Sequence, residues 1–279
     1  MGMKHILVAS DLTDRSERAL GRALQLTSPS GRLTLLHVVT GGLPEDVRIE
    51  QERTAGAFIG RRLESVPAAQ RANCDSVITA GCVFSTIIAE AVGRNAELIV
   101  IGKAGIHPYA ELFTGTTAER VVRFSDRPVL TVKQPANGPY RRILSAFDGS
   151  EGAVRALRMA LVLAPDAEVR VVHAWRHPHV SLGEIEAARK AIDDENERLR
   201  TLIREAAKQA TVQSNTSAKV TIDLVENNPY LVIANETSSA DLLVMGTHSK
   251  GCLASTVSIG ALARHLLIEA TCDVLTSRP

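Results

Sequence analysis

The stretch HILVASDLTDRSERALGRALQL, residues 5–26, returns as RILSAFDGSEGAVRALRMALVL, residues 142–163. Asp11 falls on Asp148, and Arg18-Ala19-Leu20 on Arg155-Ala156-Leu157, without a gap. Three more blocks follow in the same order. LTLLHVV around His37 matches VRVVHAW around His173, AELIVIG ending at Gly102 matches ADLLVMG ending at Gly246, and RPVLTV from Arg127 matches CDVLTS from Cys272. The offsets are 137, 136, 144 and 145 residues, so the drift lies mainly between the second and third blocks. Self-similarity on this scale marks duplicated units. We read two tandem domains, residues 1–135 and 140–279, joined near QPANGPY (134–140), whose Pro and Gly suit a linker.

The quoted stretch also sets the fold class. ILVA, LIVI and PVLTV are apolar on both faces, as in parallel strands covered by helices on both sides. In the first copy the pattern predicts strands at 4–9, 32–39, 74–80, 97–101 and 128–133. Helices are predicted at 14–28, 45–65, 84–94 and 115–125. This alternation implies an α/β protein with a doubly wound, five-stranded, Rossmann-like parallel sheet in each domain. In the second copy, residues 181–210 predict one long amphipathic, charge-rich helix whose polar surface reads as solvated.

The totals exclude several classes. A net charge of +1 with no basic block gives no source of attraction to DNA or RNA. Aromatic residues at 3% leave few stacking platforms for single strands. The N-terminus MGMKHILVAS is too short in its apolar run for a signal-peptide core, and no run reaches the roughly 18 apolar residues of a membrane span. The four cysteines, Cys74, Cys82, Cys252 and Cys272, form no CxxC pair and read as free thiols of a cytoplasmic protein.

The chemistry concentrates in LIVIGKAGIHPYAELFTGTT, residues 98–117. Open parallel sheets bind ligands at the carboxyl ends of their strands, and Gly102 ends such a strand. Gly102 and Gly105 permit close backbone approach and positive φ, and successive amides there form an anion-binding nest. Gly115-Thr116-Thr117 opens a helix, whose N-terminus attracts phosphate. Thr116-x-x-Glu119 fits a capping box, and Lys103 adds a counter-charge. The same residues also suit an ordinary turn and a cap with no ligand. Neither a Walker loop nor the GxGxxG fingerprint is present.

Gly102-x2-Gly105-x9-Gly115-Thr116 resembles the nucleotide motif of the universal stress protein family. ILVASD, LLHVV, RPVLTVK and the duplicate DGSEGAVRAL (148–157) extend the resemblance over essentially the whole chain, as two tandem family domains. The resemblance implies an ATP site in the first domain. Ala9 and Asp11 would lie beside the nucleoside, with Asp11 holding the ribose hydroxyls, and Val38 would pair with adenine through its backbone. Gly102, Gly105, Gly115, Thr116 and Thr117 would contact the phosphates, with Lys103 beside them. Ala104 stands where the family often has His. The implied function is a nucleotide-dependent regulatory binding protein of the stress response, taking ATP alone or with magnesium and acting on a protein partner. The resemblance further implies that the edge strands RPVLTVK and CDVLTSR pair about a pseudo-twofold axis within the chain, or between two chains of a homodimer. Two other classes compete. One is a slow ATPase or phosphotransfer enzyme with Lys103, Thr116 and Asp11 around the phosphates and metal. The other is a ligand-free interaction scaffold.

The second copy departs from the motif. Ser249 replaces the second glycine, ten residues separate it from Gly260, and Ala261-x-x-Arg264 stands where Thr116-x-x-Glu119 would match. We expect little or no ATP binding there, although Asp148 and His248 remain. His177 and His179, with His248 or Cys252, are zinc candidates without strong spacing and read more readily as an incidental loop. His37 and His173 occupy equivalent places and read as hydrogen-bonded packing residues. Cys82, at a strand-to-helix turn, reads either as a thiol activated by the helix dipole or as an inert turn residue.

Overall fold

The computed structural model describes residues 2–103, 116–176, 185–214, 216–247 and 259–279. The chain divides into two compact units, Met1–Pro139 and Tyr140–Pro279. The first runs β1 (Met3–Ala9), α1 (Asp14–Leu26), β2 (Thr27–Thr40), α2 (Glu45–Glu64), α3 (Ala68–Arg71), β3 (Cys74–Gly81), α4 (Val83–Gly93), β4 (Leu98–Gly102), α5 (Thr117–Phe124) and β5 (Val129–Val132). The second runs β6 (Arg142–Ala146), α6 (Glu151–Leu163), β7 (Glu168–Trp175), α7 (Ile185–Ser214), β8 (Lys219–Glu226), α8 (Pro229–Glu236), β9 (Leu242–Gly246), α9 (Ala261–Glu269) and β10 (Asp273–Ser277).

Within the first unit the strand order is β3-β2-β1-β4-β5, with every pair parallel. Within the second it is β8-β7-β6-β9-β10, again all parallel. Each is a doubly wound sheet whose order reverses beside its first strand, which leaves a crevice at the carboxyl ends of β1 and β4, or of β6 and β9. The apolar runs fill the core. Ile6, Leu7 and Val8 of β1 and Leu98, Ile99 and Val100 of β4 are fully buried. Burial on both faces is why these strands lack hydrophobic alternation.

The helices that flank the crevice are built alike. α1 buries Ala19, Leu20, Ala23 and Leu26, and α6 buries Ala153, Ala156, Leu157, Ala160 and Leu161. Spacings of three and four keep each set on one face, and the alanines let the helix approach the sheet closely. Asp14 and Glu17 in the first turn of α1 complement its positive end.

Several boundaries differ from the sequence reading. α1 stops at Leu26, short of residue 28, because Pro29 biases Ser28 away from helix and Thr27 already caps the last turn, its amide and hydroxyl both reaching the Ala23 carbonyl. β2 therefore starts at Thr27, five residues early, and a register shift between Met3 and His5 accommodates the extra residues. The single-turn α3 was not predicted. α5 begins at Thr117, after its cap. α7 is one helix of 30 residues running to Ser214, while residues 181–184 of the predicted helix lie outside the described residues. Its second half is not simply solvated: Leu199, Ile203, Ala206 and Ala210 are at most 1% exposed and form one stripe. Among the described residues no helix is long and apolar enough to cross a membrane.

Candidate functional site

The crevice of the first domain is walled by the turn between β1 and α1. Ser10 extends β1, its amide donating to the Leu36 carbonyl at 2.8 Å. Leu12 then takes a left-handed conformation, φ +63°, which is uncommon for a side chain of this size. Ser10 Oγ accepts from the Leu12 amide at 3.1 Å and donates to Ser16 Oγ, which donates onward to the Thr13 carbonyl. Asp11 Oδ1 accepts from both the amide and the hydroxyl of Thr13, at 3.1 and 2.5 Å. Thr13 occupies the N-cap of α1 but makes no side-chain bond to the helix, because its hydroxyl serves Asp11. Burial alone would raise the Asp11 pKa, but the Thr13 hydrogen bonds outweigh it and hold the carboxyl below its ordinary value.

β2 supplies the second wall. The Leu36 carbonyl faces β1, and the Gly41 amide faces β3, where it meets the Gly81 carbonyl. Parity along the strand then directs the main-chain N–H and C=O of Val38 to the β1 side. β1 pairs no further than Ala9 with Leu36, so the Val38 amide edge looks past its end into the crevice. His37 Nδ1 lies 2.9 Å from the Ser10 carbonyl, which can only accept, so Nδ1 carries the proton. The histidine ties β2 to the turn.

The third wall is the end of β4. Gly102 is not among the glycines with positive φ. A Cβ there would sit 2.8 Å from the Arg15 carbonyl oxygen. The glycine is required by close packing of α1 on β4, which corrects the expectation that conformational freedom explains it. Lys103 follows, its amide donating to the Val132 carbonyl at 2.9 Å and its side chain exposed. Gly105 and Gly115, with Ala104, lie outside the described residues.

α5 opens the fourth wall. Thr116 is its N-cap and the capping box is complete: the Glu119 amide donates to Thr116 Oγ1 at 3.1 Å, and the Thr116 amide donates to Glu119 Oε2 at 2.7 Å. The Thr116 carbonyl accepts from the Arg120 amide. Its hydroxyl hydrogen remains for other partners.

These walls enclose a cavity of about 340 Å³, within the range of small-molecule sites. Ala9, Asp11, Val38, Gly102, Lys103 and Thr117 all line it, and Thr116 stands at the adjoining helix cap. Arg15 lines it too, and the sequence reading passed over it. A basic residue in a helix's first turn opposes the dipole, and that was the available signal.

The second domain repeats part of this. The Ser150 amide donates to Asp148 Oδ1 at 3.0 Å, Gly149 has φ +71°, and the ring Nδ1 of His173 meets the Phe147 carbonyl at 2.8 Å. The Phe147 amide donates to the Val172 carbonyl and the Asn227 amide to the Trp175 carbonyl. By the same parity the Ala174 amide edge looks past the end of β6. Asp148, His173, Ala174, Thr247 and Gly260 line a smaller cavity, about 180 Å³. Gly260 is the N-cap of α9, without a side-chain bond. Its extended backbone (φ −56°, ψ 146°) matches that of Thr116 (φ −68°, ψ 161°). Gly260 therefore stands in the place of Thr116, not of Gly115, and the extra residue of the second copy enters after the cap, since α9 has nine residues and α5 eight.

His177, His179, His248, Ser249, Gly251 and Cys252 lie outside the described residues. Among the described residues no three His, Cys, Asp or Glu side chains gather as a metal site. Cys82 is exposed at the N-cap of α4, and its thiol pKa is lowered, first by hydrogen bonding to the Ser85 side chain and further by helix-start amides.

Comparison with known proteins returns one family. The model of the "Universal stress protein family" matches residues 2–133 and again 139–278. A universal stress protein of Mycobacterium tuberculosis is 24% identical over 265 residues, covering 88% of this chain and 87% of that protein. One from Thermus aquaticus is 32% identical over 139 residues, covering 47% of this chain and 98% of its own. The crystal structure of a universal stress protein from Archaeoglobus fulgidus superposes with a TM-score of 0.70 at 17% identity, covering 98% of this chain and 96% of that one, a likeness of fold.

Proposed function

The chain belongs to the universal stress protein family through both of its halves, and from that premise we propose that its first domain is a receptor for an adenine nucleotide, ATP, whose occupancy regulates a stress-response partner. One observation carries the reading. The ends of β1, β2 and β4 bring a carboxylate, an amide edge beyond the last β1–β2 pair and a cation into one cavity, in Asp11, Val38 and Lys103.

The donor set fits the parts of such a ligand. The Val38 N–H and C=O together offer a donor and an acceptor of the kind an adenine edge pairs with. Asp11, ionised and fixed by Thr13, accepts hydrogen bonds from ribose hydroxyls. Lys103, the Thr116 hydroxyl and the amides at the start of α5 favour phosphate, together with Gly102, Gly105 and Gly115 of the motif. A magnesium ion, where present, would accompany the phosphates. In this reading the nucleotide is held as a signal and the second domain adds no equivalent site.

Mass spectrometry of the nucleotide released by heating freshly purified protein tests the proposal. About one adenine nucleotide per chain is expected. A ligand at 100 times its Kd also raises stability by about 2.7 kcal/mol. Protein that releases no adenine nucleotide, and whose melting temperature millimolar Mg-ATP leaves unchanged, overturns it.

A further inference from the structure

Arg15 is the second residue of α1 and lines the first-domain cavity. Its Nε is buried without a hydrogen-bond partner. Among the described residues its guanidinium makes no ion pair within contact distance, although its charge helps to lower the pKa of Asp11 in the same cavity. A buried donor left unmet is a costly arrangement, and it belongs to a side chain that lines the cavity. Lys103, on the end of β4, adds a second cation to the same wall. Against them stands one carboxylate, Asp11, which Thr13 already engages. The lining therefore carries a surplus of positive charge, which favours an anionic ligand.

The second domain lacks both cations. By the two offsets of the repeat, Gly152 stands for Arg15 and Thr247 for Lys103. The position is closed as well as neutral: a Cβ on Gly152 would lie 2.7 Å from the Ser277 carbonyl oxygen. Both domains present an aspartate and an amide edge, so the two cavities differ in charge and in size, about 340 against about 180 Å³.

We propose that Arg15 reads the charge of the ligand in the first-domain cavity, through its planar fork of N–H donors, and so makes the site selective for a nucleoside polyphosphate over the uncharged nucleoside. The inference rests on the nucleotide reading above. A guanidinium presents donors matched to phosphate oxygens. The Arg15 side chain is free for this because α1 packs on Gly102 through the Arg15 main chain.

Calorimetric titration of the full chain with ATP, adenosine and inorganic tripolyphosphate tests it. Arg15→Gln is expected to weaken ATP at least tenfold and adenosine less than twofold. The wild-type affinity for ATP, but not for adenosine, should also fall as salt rises from 50 to about 300 mM, through screening; this readout needs no variant. Unchanged ATP affinity in Arg15→Gln, equal losses for ATP and adenosine, or salt-independent ATP binding would each overturn the proposal. If wild-type protein binds tripolyphosphate as tightly as ATP and Arg15→Gln loses it, the adenine reading fails while Arg15 stands. If wild-type protein binds neither, both fail.

Discussion

The two cavities are the same crevice built twice, and they differ at one end. At the end formed by the first two strands of each domain, Asp11 and Asp148 hold matching turns, and Val38 and Ala174 present matching amide edges. At the other end, Arg15, Lys103 and Thr116 are answered by Gly152, Thr247 and Gly260. The glycine closing β4 and β9 is common to both domains and is explained by helix packing alone. The cations and the threonine cap belong to the first domain only.

The largest expected effect breaks the comparison at its shared end. Asp11→Ala should weaken ATP binding about 10- to 100-fold, the worth of one charge-assisted hydrogen bond at about 1.5–3 kcal/mol, while Asp148→Ala leaves it intact. Titration calorimetry decides, and equal losses would refute the asymmetry. The Asp11 carboxyl is held below its ordinary value, burial raising it and the Thr13 bonds prevailing. Its stabilising contribution is therefore complete above the unfolded-state aspartate range and is lost only as pH falls through the depressed folded value. ATP binding should persist into mildly acidic solution accordingly.

The next effect sharpens the shared part. Gly102→Ala places a Cβ 2.8 Å from the Arg15 carbonyl oxygen, and Gly246→Ala places one 2.8 Å from the Ala153 amide nitrogen. Each should cost about 1–3 kcal/mol of ligand-free stability, measured by urea unfolding. Unchanged ligand-free stability in Gly102→Ala would refute the packing role of Gly102.

The smallest effect concerns the turn. Leu12 and Gly149 share the left-handed conformation, φ +63° and +71°. Leu12→Gly should stabilise the first domain by up to about 1 kcal/mol, the left-handed strain removed less the entropy a glycine adds. A lowered melting temperature would show that the Leu12 side chain contributes packing that outweighs its backbone strain.

Much of this was legible in the sequence because it depends on local pattern. Strands apolar on both faces, the Asp11 turn and the Thr116-x-x-Glu119 box each declare themselves within a few residues. Other features depend on what lies opposite. Gly102 reads as a flexible loop glycine until Arg15 is found against it. Arg15 draws no notice in the sequence until the cavity is found beside it. β2 begins early because β1 offers a partner to Thr27, and the stripe from Leu199 to Ala210 hides among the charges of α7. The cap at Gly260 was displaced by one residue in the alignment of the two copies because an inserted residue carries no mark of where it entered.

The capping box at Thr116 has one more consequence. The carboxylate of Glu119, 7% exposed, already holds the Thr116 amide, and Thr116 Oγ1 already holds the amide of Glu119. A ligand that arrives at α5 meets a helix whose first turn is closed upon itself. That turn need not fold on association, so the turn itself loses little ordering entropy. Empty and filled forms would then differ at this helix in the charge they hold, with its first turn wound the same way in both.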